Sequence, residues 1–306
     1  MPIYLLGSRT SSVQIPNQTL SIAIAGAVEH AALHVDGGAG QNVVRINAHL
    51  ALIPAIGSEL SVGVKPIGAQ NFSHDTIVYL SISPDSPAEI DPVQLSFDPV
   101  NVSGCGAMEL ATLSPRGAHV EVSARAVADA PLGRLAGMAR TAARRCAGNG
   151  TDRRGGSLSI GVDTSASMSG AFADGSVSAA IEVLVGVADV TGIRNITATL
   201  VGARGVPVDA PAADLAQAVT RHPVRWSAGA RWSVLPQADR TVLVTDALSD
   251  AAPERFPALC ISGDTRLGGI TPLLAPPPAG VGAEENLSAN PALIDDLAAA
   301  LLPILS

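Results

Sequence analysis

The sequence predicts an α/β protein in two parts: an N-terminal β-sandwich, then a doubly wound, mostly parallel sheet. Three observations carry this. Between residues 20 and 122, short apolar segments alternate at period two and are separated by prolines and glycines, the pattern of half-buried sandwich strands. From residue 157 onward, short apolar strands alternate with longer helical stretches, which builds parallel sheets through crossover helices. The charge also changes sign twice: residues 1–124 carry net −6, residues 125–156 net +5 and residues 157–306 net −7. The breaks divide the chain into a β-rich domain over 1–128, an Arg-rich helix and Gly linker over 129–156, and an α/β domain over 157–306.

In the first part, Leu20–Ile24, Ala32–Val35, Leu60–Val64, Ile77–Ile82 and His119–Val122 read as strands, with Pro84, Pro87, Pro92, Pro99 and Pro115 between them. Pro131–Cys146 reads as a basic helix carrying Arg134, Arg140, Arg144 and Arg145; Asn149-Gly150, Arg153, Arg154 and Gly155-Gly156 follow as a solvated connector. In the second part, Leu158–Val162, Ile196–Val201, Thr241–Val244 and Ala258–Ile261 read as buried strands. Val177–Val190 is too long and too apolar for a strand and reads as a buried helix, and Ala212–His222 as another. The last helix starts with Asn290 as N-cap and Pro291 at its first position, and places Leu293, Ile294, Leu297 and Leu301 on one face.

Composition narrows the function. At roughly 100–200 residues per domain, 306 residues fit two domains, and 47% hydrophobic residues supply real cores. A net charge of −8 opposes binding to phosphate backbones and anionic membranes, and eight aromatic residues are too few for a base-stacking surface. Lys65 is the only lysine, so Schiff-base and P-loop chemistry have a single candidate. Cys105, Cys146 and Cys260 are far apart, which argues for buried reduced thiols over a disulfide scaffold. The N-terminus lacks a charged n-region and a long apolar stretch, and no uncharged apolar run reaches the ~18 residues of a membrane helix. A cytoplasmic protein without membrane insertion is the expectation.

Two predicted strands end in oxygen-rich loops: Asp163-Thr164-Ser165-Ala166-Ser167-Met168-Ser169 and Thr245-Asp246-Ala247-Leu248-Ser249-Asp250. In a parallel sheet both emerge at the carboxyl edge, where such sheets bind ligands. Asp163, Ser165 and Ser167 alternate, so one loop can aim three oxygens at a point. Carboxylates and hydroxyls without His or Cys form a hard-oxygen set, which suits Mg²⁺ better than zinc.

These residues resemble the metal-ion-dependent adhesion site of von Willebrand factor A (vWA) domains. Asp163-Thr-Ser165-Ala-Ser167 matches the family's D-x-S-x-S motif, and Val244-Thr245-Asp246 its later strand-end aspartate. The resemblance spans Leu158 to the end and implies a Rossmann-like sheet with a surface Mg²⁺, with Mn²⁺ or Ca²⁺ as alternatives. It implies that Ser165 and Ser167 bind the metal directly, that Asp163 and Asp246 act largely through water, and that a partner protein offers an acidic residue to the metal. Two positions depart from the family. Its loop threonine, after glycine, is replaced within Arg225–Arg231 by Ser227, and its glycine after the late aspartate is Ala247.

The first part has a fainter likeness. Asp75–Tyr79 with Ser83-Pro84-Asp85-Ser86-Pro87, and Glu109–Leu113, is similar to segments of TerD-type tellurium-resistance domains, although that family's acidic calcium-binding segments are not visible. This resemblance implies a stress or tellurite-resistance setting. The expectation is therefore a non-enzymatic, Mg²⁺-dependent interaction module. The alternatives are a metal-dependent hydrolase, for which Asp250 or Asp174 would have to be the base, and a scaffold with a degenerate metal site.

Other readings are weaker. An aspartic protease needs a second Asp-Thr-Gly or Asp-Thr-Ser triplet, and a serine hydrolase a G-x-S-x-G elbow; neither occurs here. His30 and His34 share a face only if both lie in one strand. Gly37-Gly38-Ala39-Gly40 has no following Lys-Ser/Thr and reads as a plain loop. Trp226 and Trp232 flank Ser227, either as core anchors or as a recognition surface.

Overall fold

Alternation of apolar and polar residues gives the first half two sheets. The computed structural model describes residues 3–7, 10–38, 40–85, 93–126, 128–148, 155–236, 238–248 and 256–306. It divides into two units, Met1–Ala130 and Pro131–Ser306. The first unit contains β1 (Ile3–Leu6), β2 (Ser12–Pro16), β3 (Leu20–Gly26), β4 (Ala31–Gly37), β5 (Val44–Asn47), β6 (Leu50–Ile53), β7 (Leu60–Pro66), β8 (Ile77–Pro84), β9 (Gln94–Phe97), β10 (Val100–Asn101), β11 (Met108–Arg116) and β12 (His119–Ala124). One sheet runs β1-β9-β8-β3-β6-β5 with β10 also on β8; the other runs β2-β12-β11-β7-β4. Their inward residues form one core, with Leu20, Ile22, Ile82 and Leu95 from the first sheet and Leu60, Val62, Leu113 and Val122 from the second.

Several expectations change at this level. His30 lies in the turn before β4, so only His34 is on the strand and the pair does not share its face. Ala39 of the glycine loop, and Ser86 and Pro87 of the TerD-like segment, lie outside the described residues, as do Asn149, Gly150, Arg153, Arg154, Ser249 and Asp250. Cys260 is buried, but Cys105 is only half-buried and Cys146 is exposed.

The second unit contains α1 (Arg134–Ala147), β13 (Ser157–Asp163), the short α2 (Ser169–Ala173), α3 (Ser176–Val190), β14 (Asn195–Val201), β15 (Gly205–Val208), α4 (Leu215–Arg221), β16 (Arg240–Thr245), β17 (Ala258–Ile261), β18 (Leu273–Leu274), α5 (Ala283–Ala289) and α6 (Pro291–Leu305). Its sheet runs β15-β14-β13-β16-β17-β18. All neighbours are parallel except the β14–β15 hairpin. This is mixed α/β with a largely parallel sheet. Asn290 precedes α6 as the sequence indicates, but its side chain bonds back to the Asn286 carbonyl instead of capping.

The two sheet faces are covered differently. Leu158, Ile160 and Val162 of β13, Ala198 and Leu200 of β14, and Val242 and Val244 of β16 pack with α1, α3, α4, α5 and α6 in one core. On the opposite face, Leu243 and Ala258 meet Trp232, Leu235, Leu248 and Phe256, all from irregular segments. Among the described residues, no α-helix covers this second face. Chain order explains why. After β14 the chain must cross to the far side of β13 to form β16, and a right-handed crossover takes it over the face that α3 leaves free. Residues 222–239 make that crossing. Pro223, Gly229 and Pro236 interrupt them, and no apolar helical repeat runs through them.

The Arg-rich segment also differs from expectation: α1 is part of the second unit, not a connector. Leu135, Ala139, Ala142 and Ala143 bury against α3 and α6, and Arg140 is 6% exposed with Nη1 3.6 Å from Asp189 Oδ2. Arg145 pairs with Asp295 of α6. Charge alone mimics a solvated face, but the alanines set the packing side. Gly186 of α3 lets the two helices touch, since a Cβ there would lie 2.2 Å from the Ala136 carbonyl oxygen. No single helix among the described residues is long and apolar enough to cross a membrane.

Gly186→Val is expected to cost about 1–3 kcal/mol or more by forcing α1 and α3 apart. Gly137→Ala on α1, where a Cβ meets nothing within 4 Å, is expected to stabilise by about 0.5–1 kcal/mol; urea unfolding measures both. Glu182 of α3 supplies a pH test, because burial, and next the Glu284 charge, raise its pKa while a hydrogen bond from the Ala136 amide lowers it. With the folded pKa above the unfolded one, stability is lost as pH rises from the ordinary Glu range through the raised value. Glu182→Gln is therefore expected to exceed wild type in stability at neutral pH and converge with it in acid, as read from unfolding midpoints across pH.

Candidate functional site

β13 is buried along its length, and parallel partners on both sides pin its carboxyl end beside that of β16. Asp163 closes β13 and is 5% exposed. A buried carboxylate needs donors on both oxygens, and Asp163 has them. Its Oδ1 accepts the Ser165 amide at 2.7 Å and its Oδ2 the Thr245 hydroxyl at 2.8 Å. Thr245 is the last residue of β16, so this bond joins the two oxygen-rich loops. The Thr245 hydroxyl also lies 3.1 Å from the Ala247 carbonyl oxygen.

The serines follow from the turn. Ser165 is 7% exposed and precedes a 3-10 turn over Ala166–Met168, anchored by the fully buried Met168. Ser167 is exposed, and its Oγ lies 3.0 Å from Ser165 Oγ. Two ligands at right angles on an octahedral Mg²⁺, each at about 2.1 Å, stand about 3 Å apart. The hydroxyl pair therefore fits one edge of such a shell. No group of three or more His, Cys, Asp or Glu side chains gathers among the described residues, so any cation here would depend on hydroxyls and water together with the two aspartates.

Ser227 is brought to the site by its backbone. Its amide donates to the Thr164 carbonyl at 3.0 Å, and its own carbonyl accepts the Ala166 amide at 2.9 Å, a short parallel bridge to the serine loop. Its hydroxyl donates to the Gly229 carbonyl at 2.9 Å and also lies 3.4 Å from the Thr164 carbonyl oxygen. Gly202 leaves the room for this, since a Cβ there would lie 2.9 Å from Ser227 Oγ. Asp246 follows Thr245 at the same edge and is half-buried. Its charge acts on Cys260 in the neighbouring strand, whose thiol is pushed up to about 11, chiefly by burial and then by Asp246. The structure thus joins Asp163, Ser165, Ser167 and Thr245 by hydrogen bonds, places Asp246 next in chain and Ser227 alongside, and leaves the Ser227 oxygen engaged.

Thr245 and Phe172 were missed as site residues. Thr245 was legible as a hydroxyl beside a strand-end aspartate. Phe172 of α2 meets Trp226 edge-on, with ring centroids 5.4 Å apart and planes at 85°. Trp226 nevertheless remains 45% exposed, whereas Trp232 packs on Leu243 and Ala258. Asp174 is taken up structurally, its Oδ1 accepting the Ser176 amide at the start of α3. A cavity of about 500 Å³ between the β18 segment and α6, and one of about 560 Å³ in the first unit, contain none of these residues.

Thr245→Val is expected to destabilise the second unit by about 1–3 kcal/mol, because it leaves a buried carboxylate oxygen without its donor. Thr245→Ser keeps the hydroxyl and is expected to recover most of the loss in urea unfolding.

No protein-family model matches the chain, and neither a curated protein nor a solved structure matches it.

Proposed function

We propose that the second unit is a vWA-like, Rossmann-type module that binds a partner protein through Mg²⁺ and performs no chemistry. The observation that carries this reading is the Asp163 carboxylate, held between the Ser165 amide and the Thr245 hydroxyl, with Ser165 Oγ and Ser167 Oγ 3.0 Å apart beside it. Ser165 and Ser167 would hold the cation, with Asp163 and Asp246 supplying negative charge around it. The ion would supply a Lewis-acidic point on which a partner's carboxylate settles. Mn²⁺ or Ca²⁺ would suit the same oxygens less specifically. Ser227 would join only after exchanging its bond to Gly229.

A hydrolase would need a general base in reach, and Asp174 already accepts the Ser176 amide at the start of α3. A scaffold with a degenerate site would keep the fold and lose the cation. On the proposed reading the first unit is a TerD-like sandwich, and the protein acts in the cytoplasm in a stress or tellurite-resistance setting.

Calorimetric titration of Mg²⁺ or Mn²⁺ into the purified chain tests the metal. Saturable heat is expected for wild type and none for Asp163→Ala or Ser165→Ala. Equal heats for wild type and Asp163→Ala would refute the proposal. Phosphoester turnover abolished by Asp246→Ala would favour the hydrolase instead.

A further inference from the structure

The second unit has a cationic margin at the proposed binding edge. Arg194 pairs with Asp189, Arg266 pairs with Asp264, and Arg240 donates to the Gly155 carbonyl. Arg204, Arg225 and Arg231 differ: all three are exposed, and no ion pair among the described residues engages them. Among the described residues, the set's one side-chain bond runs from Arg231 Nε to Ser233 Oγ at 3.3 Å.

Backbone bonds bring all three to one place. The Arg231 amide donates to the Gly202 carbonyl at 3.0 Å, and the Gly202 amide donates to the Arg204 carbonyl at 3.1 Å. Gly202 follows β14, whose last residue, Val201, pairs with Asp163. Arg225 stands two residues before Ser227, which is bridged to Ser165. The three arginines therefore border the hydroxyl pair from the β14 side, with the half-exposed Trp226 among them.

We infer that the partner of this edge is a polyacidic protein segment. One carboxylate goes to the proposed metal position, and its neighbours lie against Arg204, Arg225 and Arg231. This inference rests on the proposed reading for the first carboxylate only; the arginine contacts need no metal. Guanidinium groups suit carboxylates through paired hydrogen bonds. The three guanidinium groups attract an acidic chain to this margin, which adds register and steering. On the proposed reading the metal position takes a carboxylate, so further carboxylates of the same segment reach the adjacent guanidinium groups.

Fluorescence anisotropy of a labelled peptide of alternating Glu and Gly, titrated with the full chain in Mg²⁺ at low salt, tests this. Binding is expected for this peptide and not for its Gln counterpart. The variant Arg204→Ala/Arg225→Ala/Arg231→Ala is expected to bind about tenfold more weakly, the summed worth of three exposed ion pairs, with an unchanged melting temperature. In a chelator, weaker binding that still depends on the arginines and on salt is expected. Equal affinity of the variant and wild type, or of the Glu and Gln peptides, would overturn the inference. So would displacement of the Glu peptide by an equally short thymidine oligonucleotide at lower concentration, which would indicate a phosphate surface. Absent Mg²⁺ heat with arginine-dependent binding intact removes the metal reading alone. Normal Mg²⁺ heat with arginine-independent binding removes this inference alone.

Discussion

A carboxylate that is 5% exposed at the end of a strand buried from Leu158 onward constrains everything around it. Left unpaired, Asp163 would carry a desolvation cost far larger than any single contact returns. Its two donors come from different places in the chain, the Ser165 amide two residues on and the Thr245 hydroxyl at the end of β16. The first bond forces the chain to turn sharply after β13, and that turn sets Ser165 and Ser167 side by side. The second fixes the register of the β13 and β16 ends and leaves Asp246 at the same edge. Conformation of the serine loop, alignment of the central strands and placement of the oxygens all follow from satisfying one buried charge.

The crossover geometry adds the other half of the site. Because α3 and the remaining helices occupy one face, the chain between α4 and β16 must close the second face without a helix of its own. Irregular backbone has free amides and carbonyls, and segment 222–239 spends some of them on its neighbours: Ser227 on the serine loop and Arg231 on Gly202. A helix there would have satisfied those groups internally and kept the loop away. The missing helix is therefore the reason that Ser227, Trp226 and the arginines stand at the carboxyl edge.

Much of this was legible in the sequence, for identifiable reasons. β16 and β17 hold short apolar runs, β13 and β14 alternate apolar residues with Ser or Thr, and α3 is a long apolar stretch, so hydrophobic patterning marks them. The D-x-S-x-S turn announces itself because no other loop alternates a carboxylate with two hydroxyls. Four features were hidden. The alanines of α1 carry its packing, and a count of arginines obscures them. The short edge strands β15 and β18 have too few residues to show a period. His30 and His34 look like a strand pair until the turn before β4 takes His30 out of it. The direction of the Ser227 hydroxyl depends on Gly229, two residues on, and on Gly202, which is a neighbour only after folding.

The engaged state of Ser227 bears on how the edge would work. A hydroxyl bonded to a carbonyl 2.9 Å away is already satisfied, so recruiting it to a cation trades one interaction for another and gains less than a free ligand would. Ser165 and Ser167 differ: among the described residues their hydroxyls bond to each other, which uses one of their two hydrogens and leaves lone pairs on both oxygens. Under the proposed function, the serine pair would set whether a cation binds at all, while Ser227 would respond to what arrives with it. Residues 225–231 also carry Trp226 and two of the arginines, so a partner pulling on that segment would reach the same loop that holds Ser227. Metal and partner would then be coupled through the backbone bridge between Ser165 and Ser227, with no movement of the central sheet required.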